Sequence, residues 1–242
     1  MVPSKHCQLD AAPTWLVKRL TNVLSPVIAN MANVCFENGR FPTAQKQALV
    51  RPILKKPSNL SFVSKIVERL AANRFNAHTG LFNLLPARQS AYRQFHSTET
   101  AVTAVHNAIV QAIDSKRLSV LVLLDLSSAF DTVDHGILLN ILQDRFGVRG
   151  HVYCWFKSYL TGRTQVFCTT SGRSDVVNLD LVDCSVPQGS VVGPQQFSAY
   201  TEDMSENIEI HINGHHFYAD TTQLQGSTSI AELLPCLRRF ER

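Results

Sequence analysis

The sequence predicts an α+β fold, and three patterns support this prediction. Apolar residues recur every three or four positions in much of the N-terminal half, which is typical of amphipathic helices. A continuous apolar run at 118–124 is typical of a buried strand, and later segments alternate apolar and polar residues as antiparallel strands do. With 242 residues and 45% hydrophobic content, the chain is long enough for a sizeable core.

The N-terminal half is predicted to be mainly helical. Proline interrupts a helix because it lacks the backbone N–H, and Ser or Thr at a helix start can accept hydrogen bonds from free amides. The predicted elements are one or two helices at 13–37 broken near Pro26, a strand at 47–56, a helix at 61–82 and a helix opening at Ser97 or Thr98.

In the C-terminal half, helices alternate with strands that form hairpins. Because the run at 118–124 shows no alternation, we expect it at the centre of a sheet, covered on both faces, with Asp125 at the sheet's end. The other predicted elements are helices at 134–146, 151–160 and 193–204, and hairpins at 165–186 and 208–219.

The formal net charge of +4 hides an asymmetry between the two halves. Residues 1–118 hold fifteen Lys and Arg against five Asp and Glu, a net of +10, whereas residues 119–242 hold eight against fourteen, a net of −6. A basic half beside an acidic half suits a protein that binds a polyanion with one part and divalent cations with the other. The charge switch predicts a subdomain boundary near Leu118.

Several classes of protein are excluded by simple patterns. The six cysteines form no C-x-x-C pair, which argues against a zinc site or a disulfide frame. Residues 1–10 lack the pattern of a signal peptide, and the chain has no apolar stretch of about eighteen residues. We therefore expect an intracellular protein, nuclear or cytoplasmic, with no membrane partner.

Two acids follow predicted strands and are candidate ligands for a hard cation. Asp125 closes the apolar run, and Asp220 lies in the turn Tyr218-Ala219-Asp220-Thr221. Taken alone, Asp125 is better explained as a helix cap or a turn acid. A phosphotransferase that uses Asp125 as nucleophile is a poor fit, because the usual acid two residues later is Ser127 here.

Four short strings occur in the order of a known family. Residues 89–100 (QSAYRQFHSTET), 125–131 (DLSSAFD), 187–190 (PQGS) and 218–221 (YADT) resemble the reverse transcriptase of non-LTR (LINE-type, CR1/Jockey-like) retrotransposons. The resemblance covers nearly the whole chain. It implies a right-hand polymerase, with fingers at 1–118 and a partial palm at 119–242 whose antiparallel-rich sheet is packed by helices, and no thumb.

The resemblance implies an RNA-directed DNA polymerase that uses an RNA template, a DNA primer and deoxynucleoside triphosphates. Two Mg²⁺ ions, for which Mn²⁺ can substitute, are implied at Asp125, Asp220 and the carbonyl of Leu126, and the two aspartates are the implied catalytic residues. The implied nucleotide contacts are Arg93 to the triphosphate, Phe130 under the sugar, Gln188 to the sugar or base pair, and Gly189 in close backbone approach. Lys55 and Lys56 are expected to contact template or phosphate on electrostatic grounds.

The chain departs from the family at the metal site. Thr221 stands where the family has a second aspartate, which removes a negative charge and predicts weaker metal binding and slower chemistry. The junction at Pro57 joins segments that are further apart in relatives. We therefore expect a truncated, degenerate copy with impaired activity; the alternative is a non-catalytic relic that still binds nucleic acid. Oligomeric state is left open.

Overall fold

The computed structural model describes residues 9–10, 12–50, 60–93, 95–169, 172–175, 177–178, 184–211 and 214–237. The helices are α1 (Thr14–Arg19), α2 (Thr21–Glu37), α3 (Phe62–Leu81), α4 (Thr98–Asp114), α5 (His135–Asp144), α6 (Gly150–Leu160), α7 (Gly193–Tyr200), α8 (Asp203–His211) and α9 (Leu233–Leu237). The strands are β1 (Gln47–Val50), β2 (Leu118–Asp125), β3 (Thr164–Thr169), β4 (Gly172–Arg173), β5 (Val177–Asn178), β6 (Gly214–Tyr218) and β7 (Thr221–Thr228). This mixture of helices with antiparallel strands confirms the α+β class.

The chain folds into two compact units, and each is built from two stretches of sequence. The first unit comprises residues 1–82 and 130–196, and the second comprises residues 83–129 and 197–242. Leu118, where the charge switch lies, begins a strand inside the second unit. Both units therefore form only after distant parts of the chain have come together.

Aromatic side chains form the core of the first unit. Trp155 on α6 stacks on Tyr159 with ring centroids 5.6 Å apart, and Phe41 meets the edge of Tyr159 at 5.0 Å. All three rings are almost fully buried. Such ring pairs contribute roughly 0.5–1.5 kcal/mol beyond the burial of their area, and the Phe41–Tyr159 pair holds α6 against the loop that follows α2.

The first predicted helical segment is indeed two helices, but the predicted break point was wrong. The two helices are separated at Leu20, and α2 continues through Pro26. Proline removes one hydrogen bond, here near the start of a 17-residue helix, and the remaining bonds keep the helix intact. The end of α2 follows a Schellman pattern: Gly39 has a φ of 59°, and the Arg40 N–H donates to the Cys35 carbonyl at 2.9 Å.

The sheet of the first unit combines parallel and antiparallel pairs. Strand β1 runs parallel to β3, with Gln47 opposite Thr164, and β3 pairs antiparallel with β4 and β5. The predicted hairpin at 165–186 is thus confirmed in part, because β3 has antiparallel partners at 172–173 and 177–178, whereas Cys184 forms a bridge with Asp134 instead. The predicted strand at 47–56 is confirmed for residues 47–50; residues 51–56, with Lys55 and Lys56, lie outside the described residues.

The sheet of the second unit is antiparallel, in the order β2-β7-β6. The strand at 118–124 is confirmed, but its predicted central, two-sided burial was wrong. Within the described residues β2 pairs only with β7 and is an edge strand, and the Leu123 side chain is 62% exposed. A continuous apolar run predicts that a strand forms, because β-branched and aliphatic residues favour strands. It does not predict which edges of that strand are paired.

The predicted hairpin at 208–219 was also wrong in its first strand. Ile208 and Ile210 lie in helix α8, and the hairpin is instead β6–β7. A strand at 208–212 would have to pair with the free edge of β6, but the loop between α3 and α4 occupies that edge. The Ser90 N–H donates to the Phe217 carbonyl at 3.0 Å, and the Phe217 N–H donates to the Arg88 carbonyl at 3.0 Å.

Two predicted helix starts are confirmed by their caps. Ser97 caps α4 in a reciprocal capping box with Thr100, and Asp134 caps α5 by accepting from the Ile137 N–H at 2.8 Å. Both caps use only neighbouring residues, so the sequence alone carries the signal. Within the described part of the chain, no helix combines the length and apolar character needed to span a membrane.

Candidate active site

The turn between β6 and β7 consists of Ala219 and Asp220, with Tyr218 paired to Thr221 across it. Ala219 has a φ of 55°, in the left-handed region. A residue with a Cβ loses roughly 1–2 kcal/mol in this region, and such strain is often kept at functional sites. The hairpin therefore holds a strained turn at the position of the aromatic-small-acid motif.

Asp125 reaches this turn from the neighbouring strand. It is the last residue of β2 and lies directly opposite Thr221, the first residue of β7. The N–H of Leu126 donates to the carbonyl of Asp220 at 3.1 Å. Opposite Cα atoms of an antiparallel pair are about 4.5–5.5 Å apart. The structure thus brings Asp125, Leu126 and Asp220 to one end of the sheet.

The donor set at this sheet end fits a hard cation in part. Asp125 is exposed and Asp220 half-buried, and carboxylate and carbonyl oxygens are the ligands that Mg²⁺ prefers. Among the described residues no group of three or more His, Cys, Asp or Glu side chains is placed to hold a metal ion. Two carboxylates are available, and Thr221 adds only a neutral hydroxyl beside Asp125.

Tyr92 lies near Asp220, and sequence reasoning had given it no role. Burial raises the pKa of its phenol, and the charges of Asp220 and Tyr218 raise it further. The phenol therefore stays protonated at neutral pH and is a hydrogen-bond donor near Asp220. Its backbone also takes a left-handed conformation, with a φ of 58°. The available signal was its place within the string at 89–100.

Arg93 braces the loop beside β6. Its Nη1 donates to the carbonyls of Pro86 and Ala87, at 3.2 and 3.4 Å. The same loop supplies Arg88 and Ser90, which pair with Phe217 two residues before the turn. Arg93 thus supports the edge of the sheet next to the acid-bearing turn, and its contact with a triphosphate stays a prediction.

The adjacent histidines of β6 serve the fold. His215 is buried; its Nδ1 accepts from Arg88 at 3.2 Å, and its Nε2 therefore donates to the Ser205 hydroxyl at 2.9 Å. His216 faces the other side of the strand. Burial lowers the pKa of His216, and the nearby His96 and Arg88 lower it further. These contacts fit a structural role for the pair.

The remaining predicted residues lie in the first unit. The Val186 N–H donates to the Phe130 carbonyl at 2.8 Å, which ties the segment after Phe130 to the Pro187-Gln188-Gly189 turn. Gly189 has a φ of 78°, as the third position of a type II turn requires. Gln188 donates through Nε2 to the two carboxylate oxygens of Asp131, at 3.3 and 3.5 Å.

A cavity of about 330 Å³ opens beside Gln188 and Asp131 within the first unit. Two almost fully buried cations, Lys46 and Arg163, also line it. The Lys46 ammonium donates to the Thr161 carbonyl at 2.9 Å, and the Arg163 guanidinium lies 4.4 Å from the Tyr159 ring centroid. Sequence reasoning missed both, because neither belongs to a recognisable motif.

Comparison with known proteins agrees with these features. Residues 46–242 match a family model described as reverse transcriptase (RNA-dependent DNA polymerase). The chain is 36% identical over 154 residues to the Probable RNA-directed DNA polymerase from transposon BS of Drosophila melanogaster, which covers 64% of this chain and 16% of that protein. It is 30% identical over 213 residues to the RNA-directed DNA polymerase from mobile element jockey of the same species, covering 83% of this chain and 23% of that protein.

A third relative, the Probable RNA-directed DNA polymerase from transposon X-element of Drosophila melanogaster, is 34% identical over 163 residues, or 67% of this chain and 17% of that protein.

The chain belongs to the reverse transcriptase family. Within that family its relatives are polymerases of non-LTR, LINE-type elements, as the four strings predicted. It spans between 16% and 23% of the length of the relatives it matches. Members of the family generally use divalent metal ions.

Proposed function

We propose that this chain carries the nucleotide-adding site of an RNA-directed DNA polymerase, acting on an RNA template, a DNA primer and deoxynucleoside triphosphates. The single observation that carries the proposal is the pairing of Asp125 with Thr221, which sets Asp125 beside the turn that contains Asp220. These are the two strand-end acids of the family strings at 125–131 and 218–221. On this proposal residues 1–118 act as fingers and residues 119–242 as part of a palm.

Asp125 and Asp220 are the proposed catalytic residues, and with the carbonyl of Leu126 they are the proposed metal ligands. Divalent cations bound there, two Mg²⁺ ions or Mn²⁺ in their place, supply Lewis acidity toward the primer hydroxyl and the leaving pyrophosphate. The hydrogen bond from Leu126 to Asp220 keeps the two acid-bearing segments in register. Neither carboxylate is buried, so substrate phosphates have access to both.

Four further residues are proposed to hold the nucleotide. Phe130 packs under the sugar and excludes a 2′-hydroxyl, Gln188 contacts the sugar or the base pair, and Gly189 allows close backbone approach. Arg93 binds the triphosphate through its planar set of donors. The hydrogen bond of Gln188 to Asp131 supports this assignment, because it holds the amide in one orientation before the nucleotide arrives.

Thr221 limits the activity of this chain on the same proposal. Its side chain shares a face with Asp125, where a carboxylate would add a full negative charge to the ligand set. With a neutral hydroxyl there, we expect weak metal binding and slow nucleotide addition.

Primer extension on an RNA template tests the proposal. We expect Thr221→Asp to extend the primer at least roughly tenfold faster than the unaltered chain in Mg²⁺, because it restores charge at the reacting centre. Thr221→Asn is the matched control, since asparagine has the size of aspartate without its charge, and Asp125→Asn in the Thr221→Asp chain removes the opposite ligand. Equal rates for the Asp and Asn variants, or synthesis without Asp125, overturn the proposal.

A second candidate function is nucleic-acid binding without turnover, and the net charge of +10 in residues 1–118 favours it. Binding driven by phosphate neutralisation weakens steeply as salt rises. Salt-sensitive binding of an RNA–DNA hybrid, together with no incorporation by either the unaltered chain or Thr221→Asp, supports this second function. Incorporation by Thr221→Asp rejects it.

A further inference from the structure

Glu68 is a fully buried carboxylate in the middle of α3, in the first unit. A buried carboxylate is costly unless donors surround it. Its Oε1 accepts from the Ser64 hydroxyl at 2.7 Å. Its Oε2 accepts from the Val191 N–H at 2.7 Å and from the Ser190 hydroxyl at 2.8 Å. One oxygen therefore serves its own helix, and the other serves a segment more than 120 residues away.

The distant segment follows directly on the Pro187-Gln188-Gly189 turn. The Ser190 N–H closes this turn on the Pro187 carbonyl at 3.1 Å. The Ser190 hydroxyl oxygen accepts from the N–H groups of Val192 and Gly193, at 3.1 and 2.8 Å, where helix α7 begins. Ser190 thus forms hydrogen bonds to the turn through its N–H, to the start of helix α7 through its hydroxyl oxygen, and to Glu68 through its hydroxyl proton.

Tyr159 closes the network from α6. Its hydroxyl lies 2.7 Å from the Ser190 hydroxyl and 3.4 Å from Oε2 of Glu68. Burial raises the pKa of this phenol strongly, and the charge of Glu68 raises it further, so Tyr159 keeps its proton and donates. Because Ser190 has one proton and gives it to Glu68, the Tyr159 hydroxyl donates to Ser190.

Two carboxylates hold Gln188 from different directions. Asp131 holds its side-chain amide, and Glu68 holds the main chain two and three residues later, through Ser190 and Val191. A turn with one free end would let the glutamine swing. With both attachments, its backbone and its side chain are each restrained.

We propose that Glu68 is a positioning residue, which acts on the nucleotide through the backbone of the Pro187-Gln188-Gly189 turn. The inference rests on the proposed function for its effect on nucleotide binding, and on the hydrogen bonds alone for its hold on the turn. Glu68 is fully buried, so it acts through the turn rather than by direct contact with a substrate. Its two oxygens have separate partners, because only Oε2 bonds the segment after the turn and Oε1 bonds Ser64. Variants can therefore remove one set of hydrogen bonds without the other.

The variants follow from this division. Glu68→Met keeps the length of the side chain and removes both acceptors. Glu68→Gln is the conservative rescue, because its amide oxygen can face Val191 while its amide nitrogen donates to the Ser64 hydroxyl oxygen. Ser64→Ala is the matched control, since it breaks a buried hydrogen bond to the same carboxylate without touching the turn. Ser190→Ala replaces Glu68→Met if that variant does not fold.

The first measurement is amide hydrogen exchange in the full chain. We expect Glu68→Met to speed exchange at Val191, Val192 and Gly193 by roughly tenfold or more relative to the rest of the first unit. Glu68→Gln restores slow exchange, and Ser64→Ala leaves these amides as they are. Ser190→Ala speeds exchange at Val192 and Gly193. Equal acceleration in Ser64→Ala, or no acceleration in Glu68→Met and Ser190→Ala, overturns the positioning role.

The second measurement is steady-state nucleotide incorporation in the Thr221→Asp chain. We expect Glu68→Met to raise the KM for the deoxynucleotide roughly tenfold with kcat changed less than about threefold, and Glu68→Gln to restore it. Ser64→Ala leaves the KM unchanged. A fall in kcat alone contradicts the inference. If Thr221→Asp incorporates nothing, the proposed function fails, and the exchange rates still decide whether Glu68 holds the turn.

Discussion

Asp125 and Thr221 face each other directly across the antiparallel pair of β2 and β7. Side chains at opposite positions lie on the same face of a sheet, so whatever stands at position 221 is the nearest cross-strand neighbour of Asp125. The hydrogen bond from Leu126 to the Asp220 carbonyl continues this pairing by one step into the turn. A charge introduced at position 221 would therefore act directly on Asp125.

We expect Thr221→Asp to lower the free energy of unfolding by roughly 0.2–1 kcal/mol in the absence of divalent cations, because like charges placed opposite each other repel. Saturating Mg²⁺ reverses the loss by binding the folded state. Urea unfolding with and without Mg²⁺ measures both effects. The uncharged Thr221→Asn variant is the control, and an equal Mg²⁺ response in the two variants contradicts the prediction.

The strained turn makes a separate prediction. Ala219→Gly removes the cost of a left-handed conformation, which is roughly 1–2 kcal/mol for alanine. Glycine also makes the unfolded chain more flexible, which lowers the free energy of unfolding and offsets part of that gain. We expect a net gain in unfolding free energy of about 0.5–1 kcal/mol by urea denaturation. Ala104→Gly, at an exposed position within α4, should instead lose about 1 kcal/mol. A loss at position 219 comparable to that at 104 would show that the turn is not strained.

Two glycines of the first unit should respond in opposite directions to alanine. At Gly39 a Cβ would stand 2.8 Å from both the Cys154 Cβ and the His151 carbonyl oxygen, and the φ of 59° disfavours any side chain. We expect Gly39→Ala to lower the unfolding free energy by about 2 kcal/mol or more. At Gly80 in α3 nothing lies within 4 Å of the new Cβ, so Gly80→Ala should raise it by about 0.5–1 kcal/mol.

Stability should also depend on pH through His216. Its folded pKa is depressed below the ordinary value of 6.5, so the unfolded chain binds this proton more readily than the folded chain. Above pH 6.5 the histidine does not lower the free energy of unfolding. As pH falls from 6.5 to the depressed folded pKa, the unfolded state takes up the proton first and the folded state loses stability. We expect His216→Gln to flatten the fall in melting temperature between about pH 7 and pH 5. An unchanged pH profile contradicts the assignment.

Local features of the fold were readable in the sequence because neighbouring residues create them. Helix starts were predicted at Ser97 or Thr98 and at residue 134, and Ser97 and Asp134 both accept the backbone hydrogen bonds expected of caps. The end of the helical segment at residue 37 was also predicted, and the left-handed φ of Gly39 supplies the reason. Each of these needs at most a few consecutive residues, so no knowledge of the rest of the chain is required.

Long-range choices were not readable in the same way. The alternation of Ile208 and Ile210 predicted a strand, but the loop at 88–90 occupies the edge that such a strand needs, and the segment is helical. The apolar run ending at Leu124 predicted a central strand, yet β2 pairs on one edge only within the described residues. Both outcomes depend on which distant segments reach the sheet.

Sequence alone determined the family, through the order of four short strings, and it determined which acids stand at strand ends. It also placed a threonine at position 221, because residue type is visible without any structure. Tertiary structure alone decided that Asp125 pairs with Thr221 and that Glu68 reaches Val191. Those contacts join residues about a hundred positions apart, and only the packing of helices and strands sets which distant atoms meet.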